Sequence, residues 1–271
     1  MSNPQSPLLT PTRTPWQVTK SVWWALLVRE TLNRTMADRL GWFWLFAQPV
    51  LITVVFVAIR AVLLGDLRVI AGAAVIPWLV VGLLAFQLFR ETMIRSMVAV
   101  EVSRPLYSYR QVKAIDPVLI RCFIEGQLNT FILLIFIFSS LLWDYSLVPS
   151  NAVGALIGWM AVWFMGVGVG LTISTLAVLI PETKKIVPVT IMPLFMISGI
   201  VFPLNYLSGD LLEYLLFNPL VHGIEFIRSY FFINYQPVKG VSVVYLSFWC
   251  LGLLVLGLGL HLRYAQRLKV L

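Results

Sequence analysis

Long apolar segments constrain this chain more than any other feature of its sequence. The segment from Ile70 to Phe89 has twenty residues and no Asp, Glu, Lys or Arg. A helix of about twenty apolar residues crosses the roughly 30 Å hydrocarbon core of a bilayer. Charged residues make up only 12% of the chain, whereas soluble domains carry about 25%. The pattern therefore predicts an integral membrane protein built from helices.

Six segments are apolar enough to suggest six transmembrane helices, at residues 42–59, 70–89, 122–143, within 152–180, 186–203 and 241–261. Sixteen of the twenty Lys and Arg residues then fall on one side of the membrane and four on the other. Because basic loops stay in the cytoplasm, both termini are predicted to be cytoplasmic. The predicted fold class is all-α, with a flexible tail at residues 1–15 and a transmembrane domain at residues 16–271.

Two segments are neither simple spans nor polar loops. Residues 16–40 combine tryptophans with Lys and Arg, which predicts an amphipathic helix at the membrane interface; the alternative is an extended cytoplasmic start to the first span. Residues 197–232 are apolar but are interrupted by Pro203, Gly209, Pro219 and Gly223. Since proline breaks a continuous helix, this segment is predicted to form re-entrant half-helices between spans five and six.

The sequence offers little material for catalysis. It has no P-loop motif, no carboxylate pair or nucleophile constellation, and only two histidines, so neither a catalytic centre nor a metal site is predicted. His222 and His261 are expected to be ordinary interfacial side chains, and Cys122 and Cys250 to be buried. The net charge of +8 follows from topology rather than from a nucleic-acid partner. The glycines of the fourth span are expected to permit close helix contact: Gly154, Gly158, Gly166, Gly168 and Gly170.

Two charged features each have two interpretations. The basic segment at residues 90–121 either sets topology and contacts anionic lipid, or docks a cytoplasmic partner and guides an anionic substrate. Within it, residues 104–110 are predicted to form a short docking helix. Glu225 and Arg228 are three residues apart and share a helix face. They either neutralise each other for structural reasons or take part in substrate passage.

Three motifs together resemble a known family. They are RET at residues 29–31 leading through Arg34 to LGWFW at 40–44 and QP at 48–49, ISGI at 197–200 followed by Pro203, and NPLVHGIE at 218–225 with Arg228. The chain resembles the membrane subunit of type 2 ABC exporters, and among them the permeases that export capsular polysaccharide of the polysialic acid type. The sequence departs from that pattern in two ways: Trp42 and Trp44 stand where a Tyr is frequent, and Gln48 replaces an acidic residue.

The resemblance implies a homodimer that works with two cytoplasmic ATPase subunits in the inner membrane of a bacterium. ATP and Mg²⁺ would bind to the ATPases, so no cofactor is expected in this chain. The substrate would be a lipid-linked acidic polysaccharide, and a periplasmic adaptor or copolymerase and an outer-membrane exporter would be further partners. The alternatives are an O-antigen or teichoic-acid exporter of the same fold, a small-molecule efflux permease, and a membrane-embedded lipid-modifying transferase.

The resemblance also implies three groups of functional residues. The cytoplasmic entrance and substrate path would use Trp23, Trp24, Arg29, Arg34, Arg39, Trp42, Trp44, Arg90, Arg95 and Tyr109. Coupling to the ATPase would use Arg104, Tyr107, Arg110 and Lys113. A periplasmic gate would use Pro203, Asn218, Pro219, His222, Glu225 and Arg228.

Overall fold

The structure is a computed structural model, and it describes residues 14–36, 41–63, 69–142, 147–207 and 209–270. Within these residues the chain is helical almost throughout, and its two strands form a short antiparallel hairpin. The elements are α1 (Pro15–Met36), α2 (Gly41–Leu63), β1 (Val69–Ile70), β2 (Ala73–Ala74), α3 (Val75–Met97), α4 (Ala99–Val102), a 3₁₀ helix (Arg104–Ser108), α5 (Asp116–Ser140), α6 (Ala152–Leu179), α7 (Thr183–Ile197), a second 3₁₀ helix (Leu204–Tyr206), α8 (Gly209–Leu215), α9 (Pro219–Phe231), α10 (Val243–Arg263) and α11 (Arg267–Val270).

Four of the described helices, α3, α5, α6 and α10, are long and apolar enough to cross a membrane. They contain between 21 and 28 residues. At 1.5 Å per residue the shortest is about 31 Å long, which matches a hydrocarbon core of about 30 Å. The predicted second, third, fourth and sixth spans therefore correspond to helices of the required length.

The predicted first and fifth spans correspond to helices that contain proline. Helix α2 has 23 residues with Pro49 inside it, and the apolar stretch among its described residues is Phe46–Arg60. The carbonyl of Pro49 accepts a hydrogen bond of 2.9 Å from the Thr53 hydroxyl. Helix α7 has 15 residues and contains two prolines, and its length of about 22 Å falls short of the bilayer core. A complete crossing by these two segments stays a prediction.

Three predicted span boundaries differ from the ends of the observed helices. The second span was expected from Ile70, but residues 69–74 form the β-hairpin and α3 starts at Val75. Gly72 turns this hairpin with φ of +91°, and a Cβ there would lie 2.1 Å from the Asn234 carbonyl oxygen. At its other end α3 continues past Phe89 to Met97. The third span was expected from Cys122, whereas α5 begins six residues earlier at Asp116. In the added turns of α3, Arg90 and Arg95 pair with Glu91, and in the added turn of α5, Asp116 accepts hydrogen bonds from Trp23 and the Lys113 amide.

Helix α6 lies at the centre of the packing, and its glycines are the reason. A Cβ on Gly166 would lie 3.3 Å from the Phe89 carbonyl oxygen of α3. A Cβ on Gly168 would lie 2.8–2.9 Å from Leu253 and the next residue of α10. The backbone of α10 therefore approaches α6 more closely than a Cβ would permit, and α3 lies so close that a Cβ would require a small shift, in keeping with the contact predicted from the glycine pattern.

The predicted N-terminal helix is present as α1. Val22 and Leu26 are buried in a cluster of apolar side chains shared with α5 and α6. The helix begins at Pro15, where proline's fixed φ suits a first turn. Residues 1–13 of the predicted tail lie outside the described residues. The position of α1 relative to a membrane interface stays a prediction.

The segment at 197–232 is broken into short pieces, as predicted. Helix α7 ends at Ile197, and Gly199 follows with φ of +66°. The chain then forms the second 3₁₀ helix, α8 and α9. Helices α8 and α9 have 7 and 13 residues, which is too short for either to cross a bilayer.

Candidate functional site

Four helices carry polar or aromatic side chains spaced four residues apart. Residues four apart lie on one face of a helix, so each helix presents a stripe. The stripes are Glu30 and Arg34 on α1, Trp44 and Gln48 on α2, Gln87, Glu91 and Arg95 on α3, and Arg121, Glu125 and Asn129 on α5.

These stripes converge on a cavity of about 290 Å³, which we call the charged chamber. Pro49, Ile52, Leu128 and Ile132 supply its apolar wall. Its other lining side chains are polar, charged or aromatic: Arg34, Trp44, Gln48, Gln87, Arg90, Glu91, Arg95, Glu125 and Asn129. A cavity with this lining can hold a small anionic or strongly polar molecule.

Glu125 is the most deeply buried charged group of the chamber. Its side chain is 5% exposed, and Arg34 Nη1 donates a short hydrogen bond to its Oε1. Arg95 Nε lies 3.9 Å from the same oxygen. A buried carboxylate is stable only when cations and hydrogen-bond donors compensate for its lost hydration. The pairing across α1, α3 and α5 supplies that compensation.

Glu91 holds two arginines on the more open side of the chamber. Arg90 Nη2 lies 2.7 Å from Glu91 Oε1, and Arg95 Nε lies 3.3 Å from Glu91 Oε2. The side chain of Arg95 is 51% exposed. Part of its guanidinium is therefore available to an incoming anion.

A second layer of pairs lies behind the chamber. Arg121 Nε is 2.9 Å from Glu30 Oε1, and Arg34 Nη2 is 3.6 Å from the same oxygen. Arg121 Nη1 also donates to the Arg95 carbonyl oxygen at 3.2 Å. The full cluster has four arginines and three glutamates, so it carries one net positive charge. It joins α1, α3 and α5 and fixes the arginines that line the cavity.

Part of the predicted entrance is brought together here. Arg34, Arg90, Arg95 and Trp44 all line the charged chamber. The residues predicted for the entrance did not include the glutamates and amides of the same stripes, among them Glu91 and Asn129. Their spacing of four was visible in the sequence, but nothing in it showed that the four stripes face one another.

The predicted tryptophans of α1 lie elsewhere. Trp23 and Trp24 line an apolar groove of about 720 Å³ between α1, α5, α6 and α10. The Trp23 indole donates to Asp116 Oδ1 at 3.0 Å, and Trp24 is exposed. Arg29 is partly buried on α1 and does not line the chamber. Arg39 and the side chain of Trp42 lie outside the described residues.

The predicted coupling segment is a 3₁₀ helix followed by a turn. Arg104, Arg110 and Lys113 are exposed, and so is Tyr109, which had been assigned to the entrance. Tyr107 is buried instead, and its hydroxyl donates to the Val100 carbonyl oxygen at 3.0 Å. Burial raises the pKa of the Tyr107 phenol well above its usual range. Tyr107 therefore anchors the segment while its neighbours present a basic surface.

One ion pair connects this region to α7. Lys184, at the start of α7, donates a short hydrogen bond to the Glu101 carboxylate of α4. This hydrogen bond lowers the pKa of Glu101 below its ordinary value, with further help from the charges of Lys184 and Arg104, although partial burial opposes it. The pair links the coupling segment to the helix that leads to residues 197–232.

The second Glu–Arg cluster of the molecule surrounds Arg228, and we call it the Arg228 network. Arg228 is 0% exposed, and its Nη1 lies 3.0 Å from Glu225 Oε1. Its guanidinium donates to the carbonyl oxygens of Gly199 and Ile200 and stacks 3.6 Å from the centre of the Trp78 ring. Glu225 also accepts from the Tyr235 hydroxyl at 2.8 Å. The predicted pair is thus present, sealed inside α3, α9 and their flanking segments.

Three other residues of the predicted gate shape the same region. Asn218 caps α9 by accepting from the Leu220 amide at 3.0 Å, and its Nδ2 donates to the Ser198 hydroxyl at 3.0 Å. Pro219 takes the first position of α9, where its missing N–H costs nothing. Pro203 immediately precedes the second 3₁₀ helix. These contacts are structural.

Both histidines are buried by other side chains, and their position relative to a membrane interface stays a prediction. His222 Nδ1 accepts from the Ser242 amide at 2.9 Å, and its Nε2 therefore donates to the Leu216 carbonyl oxygen at 2.8 Å. His261 Nε2 lies 2.9 Å from the Ser174 hydroxyl between α10 and α6. The burial of both cysteines is confirmed.

Comparisons with known proteins agree with this geometry. The model of the ABC-2 type transporter family matches residues 21–232. The polysialic acid transport protein KpsM of Escherichia coli is 29% identical over 249 residues, which cover 92% of this chain and 95% of KpsM. The capsule polysaccharide export inner-membrane protein CtrC of Neisseria meningitidis serogroup A is 25% identical over 249 residues, with coverage of 92% and 93%. The corresponding protein BexB of Haemophilus influenzae is 26% identical over 239 residues, with coverage of 85% and 88%. The chain is therefore a multi-pass membrane protein that belongs to the ABC-2 type transporter family.

Proposed function

We propose that this chain is the membrane-spanning permease subunit of an ATP-driven exporter that moves lipid-anchored acidic capsular polysaccharide across the bacterial inner membrane. The observation that carries the proposal is the charged chamber. An acidic glycan needs cations to replace its hydration and aromatic surface for its sugar rings. Arg34, Arg90, Arg95 and Trp44 supply both within one cavity. The similarity to three named capsule export proteins supports the same substrate class.

The topology that fits this function has six spans and cytoplasmic termini. Helices α2, α3, α5, α6, α7 and α10 would be the spans, and α8 and α9 would re-enter from the outer face. The arginines of the chamber lie near the end of α1 and the end of α3, and in this topology both ends would be at the cytoplasmic side. A substrate made in the cytoplasm would meet it first.

The partners follow from the surfaces that the chain presents. The exposed residues Arg104, Tyr109, Arg110 and Lys113 would dock an ATPase subunit, and two such ATPases would serve a homodimer of this chain. ATP hydrolysis would occur on the ATPases and not in this chain. A periplasmic adaptor and an outer-membrane exporter would complete the route outward.

A deletion strain tests the transported substrate. We expect loss of surface capsule and accumulation of lipid-linked acidic glycan inside the cell, and we expect the intact gene to reverse both. The intracellular glycan is identified by mass spectrometry. Accumulation of a neutral O-antigen or a teichoic acid instead would contradict the proposed substrate while keeping the exporter class.

A charge reversal tests the coupling surface. The double variant Arg110→Glu and Lys113→Glu should reduce co-purification of the ATPase and capsule export together. Lys239→Glu provides the control, since Lys239 is also exposed but lies on the predicted outer side. Normal ATPase association and normal export in the double variant would refute this docking surface.

A further inference from the structure

The charged chamber contains an unpaired acceptor that points to a ligand. Asn129 is 3% exposed and lines the cavity. Its Nδ2 donates to the Glu125 carbonyl oxygen at 2.9 Å, but its Oδ1 has no hydrogen-bond partner in the part of the chain that the structure describes. A buried polar atom without a partner costs about 1–3 kcal/mol. A ligand that donates an O–H or N–H at this point would remove that cost.

The other polar and aromatic side chains of the lining can also contact a sugar. Gln48 and Gln87 add amide groups that can both donate and accept hydrogen bonds. Trp44 is 57% exposed and lines the same cavity, so the face of its indole is available to the apolar face of a sugar ring. Ligand pockets usually have volumes of about 300–1,000 Å³. A cavity of about 290 Å³ therefore fits one sugar residue and not a folded stretch of polymer.

The glutamate carboxylates of the chamber pair with its arginines, and a ligand carboxylate would use the same arginines. Glu125 receives the Arg34 hydrogen bond and lies 3.9 Å from Arg95. Because Arg95 is half exposed, an incoming carboxylate can reach it without unfolding the helices. Once there, that carboxylate competes with Glu125 for Arg34.

We infer that the charged chamber is a binding subsite for one acidic sugar residue of the substrate. The sugar carboxylate binds Arg95 and shares Arg34 with Glu125, a sugar hydroxyl or amide N–H donates to Asn129 Oδ1, and the ring lies against Trp44. This inference rests on the proposed function, since it identifies which part of the glycan this chain recognises.

The competition between Glu125 and the sugar carboxylate predicts an effect on binding that a purely structural cluster would not show. Glu125→Gln removes the internal competitor but keeps the side-chain shape, so it should tighten acidic-sugar binding by about tenfold, the factor of one charge-assisted hydrogen bond. A cluster that only holds the helices together would lose stability in this variant and gain no affinity.

The experiment uses the full chain in lipid nanodiscs and titrates it with glucuronate, N-acetylneuraminate and glucose. Binding is followed by saturation-transfer NMR, with the tryptophan fluorescence as a second signal. We expect saturable binding of at least one acid and binding of glucose that is about tenfold weaker. Arg34→Gln should abolish the preference for the acid. Asn129→Leu should weaken the binding of the acid and of glucose alike. It removes the acceptor for a hydroxyl or N–H but leaves the cations in place.

Two controls separate the subsite from a general effect. Glu213→Gln neutralises an exposed glutamate of α8 and should leave all affinities unchanged. The second control is a titration with inorganic phosphate, which tests whether the chamber is a general anion site. The inference is overturned if phosphate binds as tightly as the best acid and Asn129→Leu has no effect, or if Glu125→Gln folds normally and binds the acid no more tightly than the unmodified chain. If Glu125→Gln does not fold, Arg34→Gln and Asn129→Leu decide by the same comparison.

The test also distinguishes this inference from the proposed function. If the chain restores capsule export but shows no preference for acidic sugars, the proposed function is supported and the subsite is refuted. A chain that binds acidic sugars with the expected variant pattern but whose deletion strain accumulates only a neutral glycan would refute the proposed substrate.

Discussion

The charged chamber and the Arg228 network use the same two residue types for different purposes. In the Arg228 network both charges are at most 2% exposed, and Glu225 accepts from Arg228, from Tyr235 and from the Val238 amide. In the chamber, a cavity separates the helices, Arg95 is 51% exposed and Asn129 Oδ1 lacks a described partner. Spare hydrogen-bonding capacity beside an open volume distinguishes a ligand site from a structural cluster. Arg228 Nε also lacks a described partner, but the face of its guanidinium is covered by Trp78.

The sharpest way to break this comparison is to neutralise Glu225 and Arg228 separately and together. Each single change, Glu225→Gln or Arg228→Gln, leaves the other charge buried without its partner, which costs about 3–5 kcal/mol. The double variant should be partly rescued, because neither charge remains. Thermal unfolding of the purified chain in nanodiscs measures the destabilisation of the single variants and the partial rescue in the double variant. Stable single variants that fail only in export would show that the pair meets the polymer.

Gly82→Ala tests the Arg228 network without changing any charge. A Cβ at this position would lie 2.2 Å from Arg228 Nη2, so the guanidinium must move away from its carbonyl partners. We expect destabilisation of about 1–3 kcal/mol, the usual cost of overpacking. The matched control is Gly252→Ala in α10, where a Cβ would meet nothing within 4 Å. That variant should be neutral or slightly stabilised, since alanine favours helix. Equal melting temperatures for both variants would contradict the tight packing.

Arg95→Gln tests the chamber from its open side. Because the Arg95 side chain is half exposed, its ion pairs should contribute less than about 1 kcal/mol to stability. Capsule export should nevertheless fall strongly, since the variant removes the cation that an incoming carboxylate reaches first. Arg263→Gln is the control, being an exposed arginine at the end of α10. Surface capsule and thermal unfolding are measured on the same strains. Unchanged export in Arg95→Gln would remove Arg95 from the substrate path.

The Glu101–Lys184 pair gives the smallest expected effect. The pKa of Glu101 is lowered by its hydrogen bond from Lys184, so the pair's contribution to stability is complete above the ordinary carboxyl pKa of about 4.3. It is lost only as pH falls through the lowered pKa. Unfolding temperature should therefore show no change from this pair between about pH 6 and 8. Glu101→Gln should cost less than about 1 kcal/mol. A transition near neutral pH that disappears in Glu101→Gln would contradict the assignment.

The sequence predicted the Arg228 network better than the chamber, for a physical reason. Glu225 and Arg228 are three residues apart on one helix, so their pairing is local. Even there, Trp78 and Tyr235 could not be placed, because their hydrogen bond joins residues 157 positions apart. In the chamber the pairs that bring the helices together, such as Arg34–Glu125 and Arg95–Glu125, cross between helices. The spacing of four shows which face of each helix is polar, but the rotation and the neighbours of each helix depend on packing, largely on the glycines of α6.

The same long-range pairing sets the order in which the chain can be completed. Arg34 and Glu125 are 91 positions apart, and a ribosome adds about 5–20 residues per second. Some 5 to 18 seconds therefore pass between synthesis of α1 and arrival of its acidic partner on α5, again from elongation at about 5–20 residues per second. Of the two ion-pair partners of Arg34 in the described structure, only Glu30, one turn away on the same helix, has been synthesised during that interval. Helix α1 therefore cannot make its Arg34–Glu125 contact until α5 has been synthesised, so completion of the charged chamber requires synthesis to have reached α5.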